Sequence, residues 1–223
     1  MTGIENHTRI NDILLGPLER PALNWLAVHM PAWVTPDMLT GVGIVGTLTI
    51  ALGYLLSRLS PGFLWLSSLG FVINWFGDSM DGSLARFRHI ERPKYGFYID
   101  HVVDAFSEAI IILSLGISPF VRFNLASLAL IGYFLLGTIV FIRTYVMGEF
   151  RISYGKLGPT EARLFIIIAN TLAIFTHNPG LTLPILGFMT LFDGIVFVLT
   201  VLLYYFSITT AIQGTIELAR RGE

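Results

Sequence analysis

Asp78-Ser-Met-Asp81-Gly82-Ser-Leu-Ala85-Arg86, then nine residues, then Gly96-Phe-Tyr-Ile-Asp100-His-Val-Val-Asp104 is the stretch whose reading decides the fold. Four carboxylates stand here among Phe, Val and Ile, in a chain that is 54% hydrophobic and only 13% charged. That balance belongs to a polytopic membrane protein. A carboxylate at bilayer depth costs about 3 kcal/mol on insertion scales, so such groups are retained for ions or chemistry. Asp78 and Asp81 are spaced i,i+3 and Asp100 and Asp104 i,i+4, so each pair projects from one face of a helix. Bringing the two faces together makes a cluster of four. Clustered carboxylates repel one another unless cations sit between them. Oxygen donors in a chain without cysteine, and without a convergent histidine set, point to Mg²⁺, Mn²⁺ or Ca²⁺ rather than zinc.

Working outward, apolar runs at about 20 residues per crossing fall at residues 38–56, 62–84, 97–118, 124–147, 161–178 and 184–212. The expected fold class is therefore an all-α polytopic membrane protein with six transmembrane helices. The fifth run is short and contains Asn170 and Thr171, which leaves five crossings plus a re-entrant segment as the competing layout. Ser60-Pro61-Gly62, Ser118-Pro119 and His177-Asn178-Pro179-Gly180 with Pro184 punctuate the runs. Arg86, Arg88, Arg92 and Lys94 fall between runs two and three, and Arg143, Arg151, Lys156 and Arg163 surround the connection between four and five. Arg9 and Arg20 precede run one and Arg220 and Arg221 follow run six, with only Arg58 and Arg122 on the other side. The positive-inside rule then places both termini and the acidic side in the cytoplasm.

Residues 17–33 alternate Leu18, Leu23, Trp25, Leu26, Val28, Met30 and Trp33 with Glu19, Arg20, Asn24 and His29, the pattern of an amphipathic helix lying in the interface. Such a helix serves as an anchor, as a lip of a lateral lipid entrance, or simply as a packing helix. Thr35 reads as the N-cap and Pro36 as the first residue of the first crossing. Residues 1–37 lack the short apolar core and small-residue cleavage site of a signal peptide. No repeat or low-complexity segment divides the chain, so residues 1–223 are expected to form a single membrane domain. Without cysteine there is no disulfide, thiolate nucleophile or sulfur-ligated metal.

The eight positions Asp78, Asp81, Gly82, Ala85, Arg86, Gly96, Asp100 and Asp104, set over 27 residues, resemble the signature of the CDP-alcohol phosphotransferases. These membrane enzymes move a substituted phosphoryl group from a CDP-linked donor to an alcohol in phospholipid biosynthesis and release CMP. The resemblance implies two divalent cations, Mg²⁺ or Mn²⁺, with Asp78, Asp81, Asp100 and Asp104 as ligands and Asp104 also as general base. It places the cytidine nucleotide against Gly82 and Ala85, a phosphate within reach of Arg86, and Gly96 behind the nucleotide. It further implies a homodimer, a lipid substrate or product, no nucleic acid, and an integral protein of a prokaryotic inner or plasma membrane with the site facing the cytoplasm. Asp100-His101 also looks similar to the choline and ethanolamine phosphotransferase branch, as does Thr160-Glu161 before the fifth run. The other branch pairs CDP-diacylglycerol with a small, often phosphorylated, alcohol.

Several polar residues keep two readings. Glu108 continues the Asp100 and Asp104 face and Asn74 lies one turn before Asp78, so each either orients ligands or bonds between helices. Asp193 either touches substrate or pairs structurally with a donor. His101 turns about 100° away from Asp100, which argues against a direct metal role. Arg143, Arg151, Lys156 and Arg163 either form a pocket for an acceptor phosphate or only set topology. Outside the phosphotransferases, a cation-coupled transporter would need its ionisable residues near the midplane of discontinuous helices, whereas this motif ends in a basic loop. A purely structural protein offers no reason for the glycine and carboxylate spacing.

Overall fold

The computed structural model describes residues 8–10, 14–151, 158–184 and 187–222. Seven helices follow in order: α1 (Gly16–His29), α2 (Pro36–Leu56), α3 (Leu64–Phe87), α4 (Pro93–Ile117), α5 (Phe123–Met147), α6 (Pro159–Thr176) and α7 (Leu191–Arg221). Thr35 caps α2 by accepting from the Met38 amide at 3.3 Å, with Pro36 in the first turn, as the sequence pattern requires. The helices α2, α5 and α7 are long and apolar enough to cross a membrane. By contrast α3, α4 and α6 carry the charges, with Asp78 and Asp81 on α3, Asp100, Asp104 and Glu108 on α4, and Glu161 and Arg163 on α6.

Glycine sets the closest helix pair. A Cβ placed on Gly46 would lie 2.3 Å from the Asn74 amide nitrogen, and one on Gly77 would lie 2.3 Å from that of Gly43. The backbones of α2 and α3 therefore meet with no side chain between them, the mode small residues allow inside membranes. This contact puts Asp78 and Asp81 beside the first turns of α2. Ile50, Tyr54, Leu64, Phe71, Ile111, Leu115, Ala126 and Phe192 form the main core further along the bundle. Inside it the Tyr54 hydroxyl donates to Asn170 Oδ1 at 3.2 Å, and the Asn170 amide donates to Ser68 Oγ at 3.1 Å. Asn170 thus ties α6 to α2 and α3 from within an unbroken helix.

A smaller cluster of Leu23, Ala27, Val34, Leu39, Met80 and Leu84 docks α1 on α3. Leu18, Trp25, Val28 and Trp33 remain exposed on the other side, in keeping with an interfacial helix. Two departures from an all-helical chain occur. The strand β1 (Thr8–Ile10) pairs in parallel with β2 (Glu149–Arg151). A hairpin of β3 (Gly180–Leu183) and β4 (Gly187–Thr190) occupies the start of the last apolar run. The final helix consequently begins at Leu191 rather than 184 and runs to Arg221 rather than 212. At 1.5 Å per residue its 31 residues span about 46 Å, beyond the hydrocarbon thickness of a bilayer.

Candidate active site

One cleft between α2, α3 and α4 is lined by Asp78, Asp81, Asp100 and Asp104 together with Thr40, Gly43, Asn74, Val103 and Ser107. The i,i+3 pair comes from α3 and the i,i+4 pair from α4, so the two acidic faces do meet. Thr40 on α2 donates to Asp81 Oδ2 at 2.7 Å. At the floor the Asn74 amide donates to the Gly43 carbonyl at 3.1 Å and to Thr47 Oγ1 at 3.2 Å, and Thr47 donates to Ser107 Oγ at 3.0 Å. Asn74 therefore bonds between helices while lining the cleft.

Of the basic residues that the sequence offered for a pocket beside the acidic centre, Arg163 is the one that pairs with a cleft acid. Arg163 on α6 donates to Asp78 Oδ2 at 2.6 Å, with the two side chains 12% and 25% exposed. Glu108 and Asp104 also lie within electrostatic reach of that guanidinium.

His101 also enters the acidic group. A ring nitrogen of His101 and carboxylate oxygens of Asp100 and Asp104 all lie within 4.8 Å of one another, in the spacing of a possible metal site. The 100° turn from Asp100 does not carry the ring away from the acids. His101 is three residues before Asp104 and so shares a face with it. Its ring is fixed by Phe97 at 4.3 Å and Phe141 at 5.2 Å between centroids.

The small residues divide by what surrounds them. A Cβ on Gly82 would meet only the end of the Arg86 side chain, at 3.2 Å, and one on Gly96 would meet nothing within 4 Å. No neighbouring helix accounts for either glycine, so close helix crossing is not their reason. Arg86 is exposed, lies over Gly82 and donates to Ser83 Oγ at 3.3 Å. Ala85, half-buried on the next turn, supplies the carbonyl that accepts from the Ile90 amide at 3.1 Å.

Other candidates lie elsewhere. Asp193 is 1% exposed and closes the first turn of α7, accepting from the Thr190 amide at 3.2 Å, and from the Arg122 amide at 2.9 Å at the start of α5. The substrate reading of Asp193 gives way to the structural pair. Arg143 pairs with Glu217 on α7 at 2.9 Å, so it and Arg163 are engaged with different acids. The Arg151 side chain and Lys156 lie outside the described residues. Two further groups serve the fold: Arg88, for which the sequence offered no partner, and Glu161, at the start of α6 where the turn at Gly158-Pro159 places it. Arg88 gathers the carbonyls of Met30, Pro31, Ala32 and Val34 and so straps the α1–α2 connection. Glu161, 3% exposed, accepts from the amides of Leu15 and Gly158 at 2.8 and 2.9 Å.

Comparison with known proteins follows the same lines. The family model described as CDP-alcohol phosphatidyltransferase matches residues 33–212. Cholinephosphotransferase 1 of Danio rerio is 31% identical over 178 residues, which cover 74% of this chain and 45% of that protein. Phosphatidylinositol phosphate synthase of Cutibacterium acnes is 31% identical over 101 residues, covering 42% of this chain and 46% of that one. The matches span about half the length of these curated relatives. The crystal structure of phosphatidylinositol phosphate synthase from Mycobacterium tuberculosis in apo form superposes with a TM-score of 0.52 at 20% identity, covering 87% of this chain and 93% of that one. At that identity the likeness is one of fold.

Proposed function

Because this chain belongs to the CDP-alcohol phosphatidyltransferase family, we propose that it transfers a substituted phosphoryl group from a CDP-linked donor to an alcohol, releasing CMP. The observation that carries this reading is the gathering of Asp78, Asp81, Asp100 and Asp104 on one cleft. Four carboxylates fit two hard divalent cations, Mg²⁺ or Mn²⁺, with these residues as holders, and the His101 nitrogen stands beside two of them. Bound there, such ions neutralise the donor diphosphate and stabilise the departing CMP.

The protein's own groups supply the rest. Asp104 takes the proton of the attacking hydroxyl on a carboxylate oxygen as the new phosphorus–oxygen bond forms. The phosphorus–oxygen bond to CMP breaks in the same displacement, and no covalent enzyme intermediate is needed. A carboxylate is a weak base for an alcohol, so the proton moves late or in concert with transfer. Thr40 orients Asp81 and Arg163 orients Asp78 through the hydrogen bonds described above. The open sides of Gly82 and Gly96 and the half-buried Ala85 leave room for the nucleotide. Arg86 offers its fork to a phosphate oxygen.

In the bilayer we assign six crossings to α2 through α7, with α1 in the interface and both termini and the cleft on the cytoplasmic side. That assignment rests on the basic residues flanking α3, α5 and α7. Residues 1–223 are taken as one membrane domain, and a homodimer rests on family resemblance alone. For the substrates, the longer match to cholinephosphotransferases favours a CDP-aminoalcohol donor and a neutral lipid alcohol such as diacylglycerol. A second reading, CDP-diacylglycerol with a phosphorylated alcohol, is favoured by Arg163 in the cleft wall. A panel of donors and acceptors, read by CMP formation and by lipid mass with Mg²⁺ or Mn²⁺ present, chooses between them. Lipid turnover that needs no CDP-linked donor would overturn both.

A further inference from the structure

We propose that Glu19 on α1 is a positioning residue for this reaction, acting by joining α3 to α6 so that Arg163 is held against Asp78. The inference rests on the transferase reading above. Glu19 Oε1 accepts from Trp75 Nε1 at 2.7 Å, Ser79 Oγ at 3.2 Å and Thr160 Oγ1 at 3.0 Å. Trp75 and Ser79 flank Asp78 on α3, and Thr160 is three residues before Arg163 on α6. A single carboxylate oxygen therefore bridges the two helices within one turn of both members of the Asp78–Arg163 pair.

The placement matters because of how α6 is held elsewhere. Its buried polar tie to α2 and α3 is Asn170, seven residues beyond Arg163 and so about 10 Å along the axis. With Asn170 as the pivot, a tilt of about 6° displaces Arg163 by about 1 Å, a misplacement of the size that can cost about a hundredfold in rate. At the site end the polar ties of α6 to other helices seen among the described residues are the Glu19–Thr160 bond, the Leu15–Glu161 bond and the Asp78–Arg163 pair itself, beside the apolar packing of Ile166 and Ile167. Meanwhile Leu23 and Ala27 seat α1 on Met80 and Leu84 through an apolar cluster of which Glu19 is no part. Removing the Glu19 carboxylate should therefore leave α1 docked while freeing the end of α6.

The absence of native cysteine makes a direct test clean, because two introduced cysteines are the only thiols. Spin labels on Phe87→Cys at the end of α3 and Leu164→Cys on α6, both exposed positions, report the separation in the full chain in nanodiscs. Glu19→Ala should broaden or shift that distance distribution and lower kcat for CMP release by about tenfold or more, with little change in either KM. Glu19→Gln, which keeps an acceptor oxygen, should retain the wild-type distribution and most of the rate. Glu19→Ala combined with Thr160→Val should lose no more than the worse single variant, since both cut one bridge. An unchanged distribution in Glu19→Ala overturns the proposal, as do additive losses in the double variant or an effect confined to a lipid KM. Should Glu19→Ala not fold, Thr160→Val severs the α6 limb alone and is judged by the same outcomes. Absence of CMP release from the wild-type protein with every donor would defeat the transferase reading, whereas the distance measurement still judges the bridge.

Discussion

Arg163 reaches across 85 residues of sequence to donate to Asp78 Oδ2 at 2.6 Å, so one acid of the cleft already carries a protein-borne counter-charge. Breaking a largely buried pair by removing one partner leaves an uncompensated charge, at a cost of about 3 kcal/mol. Arg163→Gln should lower thermal stability accordingly, and Arg163→Lys less so, because the charge survives while the fork does not. Millimolar Mg²⁺ should recover more stability in Arg163→Gln than in the wild type, since a cation beside Asp78 replaces the lost charge. Thermal unfolding in nanodiscs with and without the ion makes the comparison. Equal stabilisation of both proteins would remove Asp78 from the ion site.

Asp104→Asn keeps shape while losing both a base and a negative charge. Turnover should fall by at least about a hundredfold, the low end for a general base, with folding largely intact. Asp78→Asn should instead shift the metal dependence as well as the rate. CMP release across a metal titration separates the two, and near-wild-type turnover in Asp104→Asn would reject its assignment.

Chelation offers a third check on the cleft. Excess EDTA should abolish CMP release, and Mg²⁺ or Mn²⁺ should restore it, because an oxygen-rich set selects hard cations. Zn²⁺ restoring activity better than Mg²⁺ would instead favour a site built around His101 with Asp100 and Asp104.

The parts of this molecule that the sequence reveals are those written in local spacing. Apolar runs mark the helices to within a few residues at most ends, Thr35-Pro36 marks the start of α2, and the i,i+3 and i,i+4 acids mark the two faces that share the cleft. Partners distant in sequence leave no such trace. Arg163 with Asp78, Glu19 with Thr160, and Arg88 with the carbonyls of residues 30–34 are single encounters set by the fold. Asp193 misled because an acid in an apolar run resembles a site residue. Its partner in the cap, Thr190, lies only three residues earlier, at the end of a hairpin that the apolar run conceals.

The glycines allow the last prediction, because the structure separates those that build the fold from those that leave space. Gly77→Ala would push a methyl to 2.3 Å from the backbone of Gly43, where nothing flexible can yield. Overpacking of this kind costs about 1–3 kcal/mol or more, and here it also shifts Asp78, so stability and activity should fall together. Gly82→Ala meets only the movable end of Arg86, and alanine is the better helix former by up to about 1 kcal/mol. Its stability should match or exceed the wild type while donor turnover falls, because the methyl enters the space assigned to the nucleotide. Gly96→Ala, with nothing within 4 Å, should likewise fold normally. Unfolding midpoints measured beside the KM for the CDP-linked donor distinguish the classes. A Gly82→Ala protein that is stable and binds its donor as tightly as the wild type would move the nucleotide away from this face of α3.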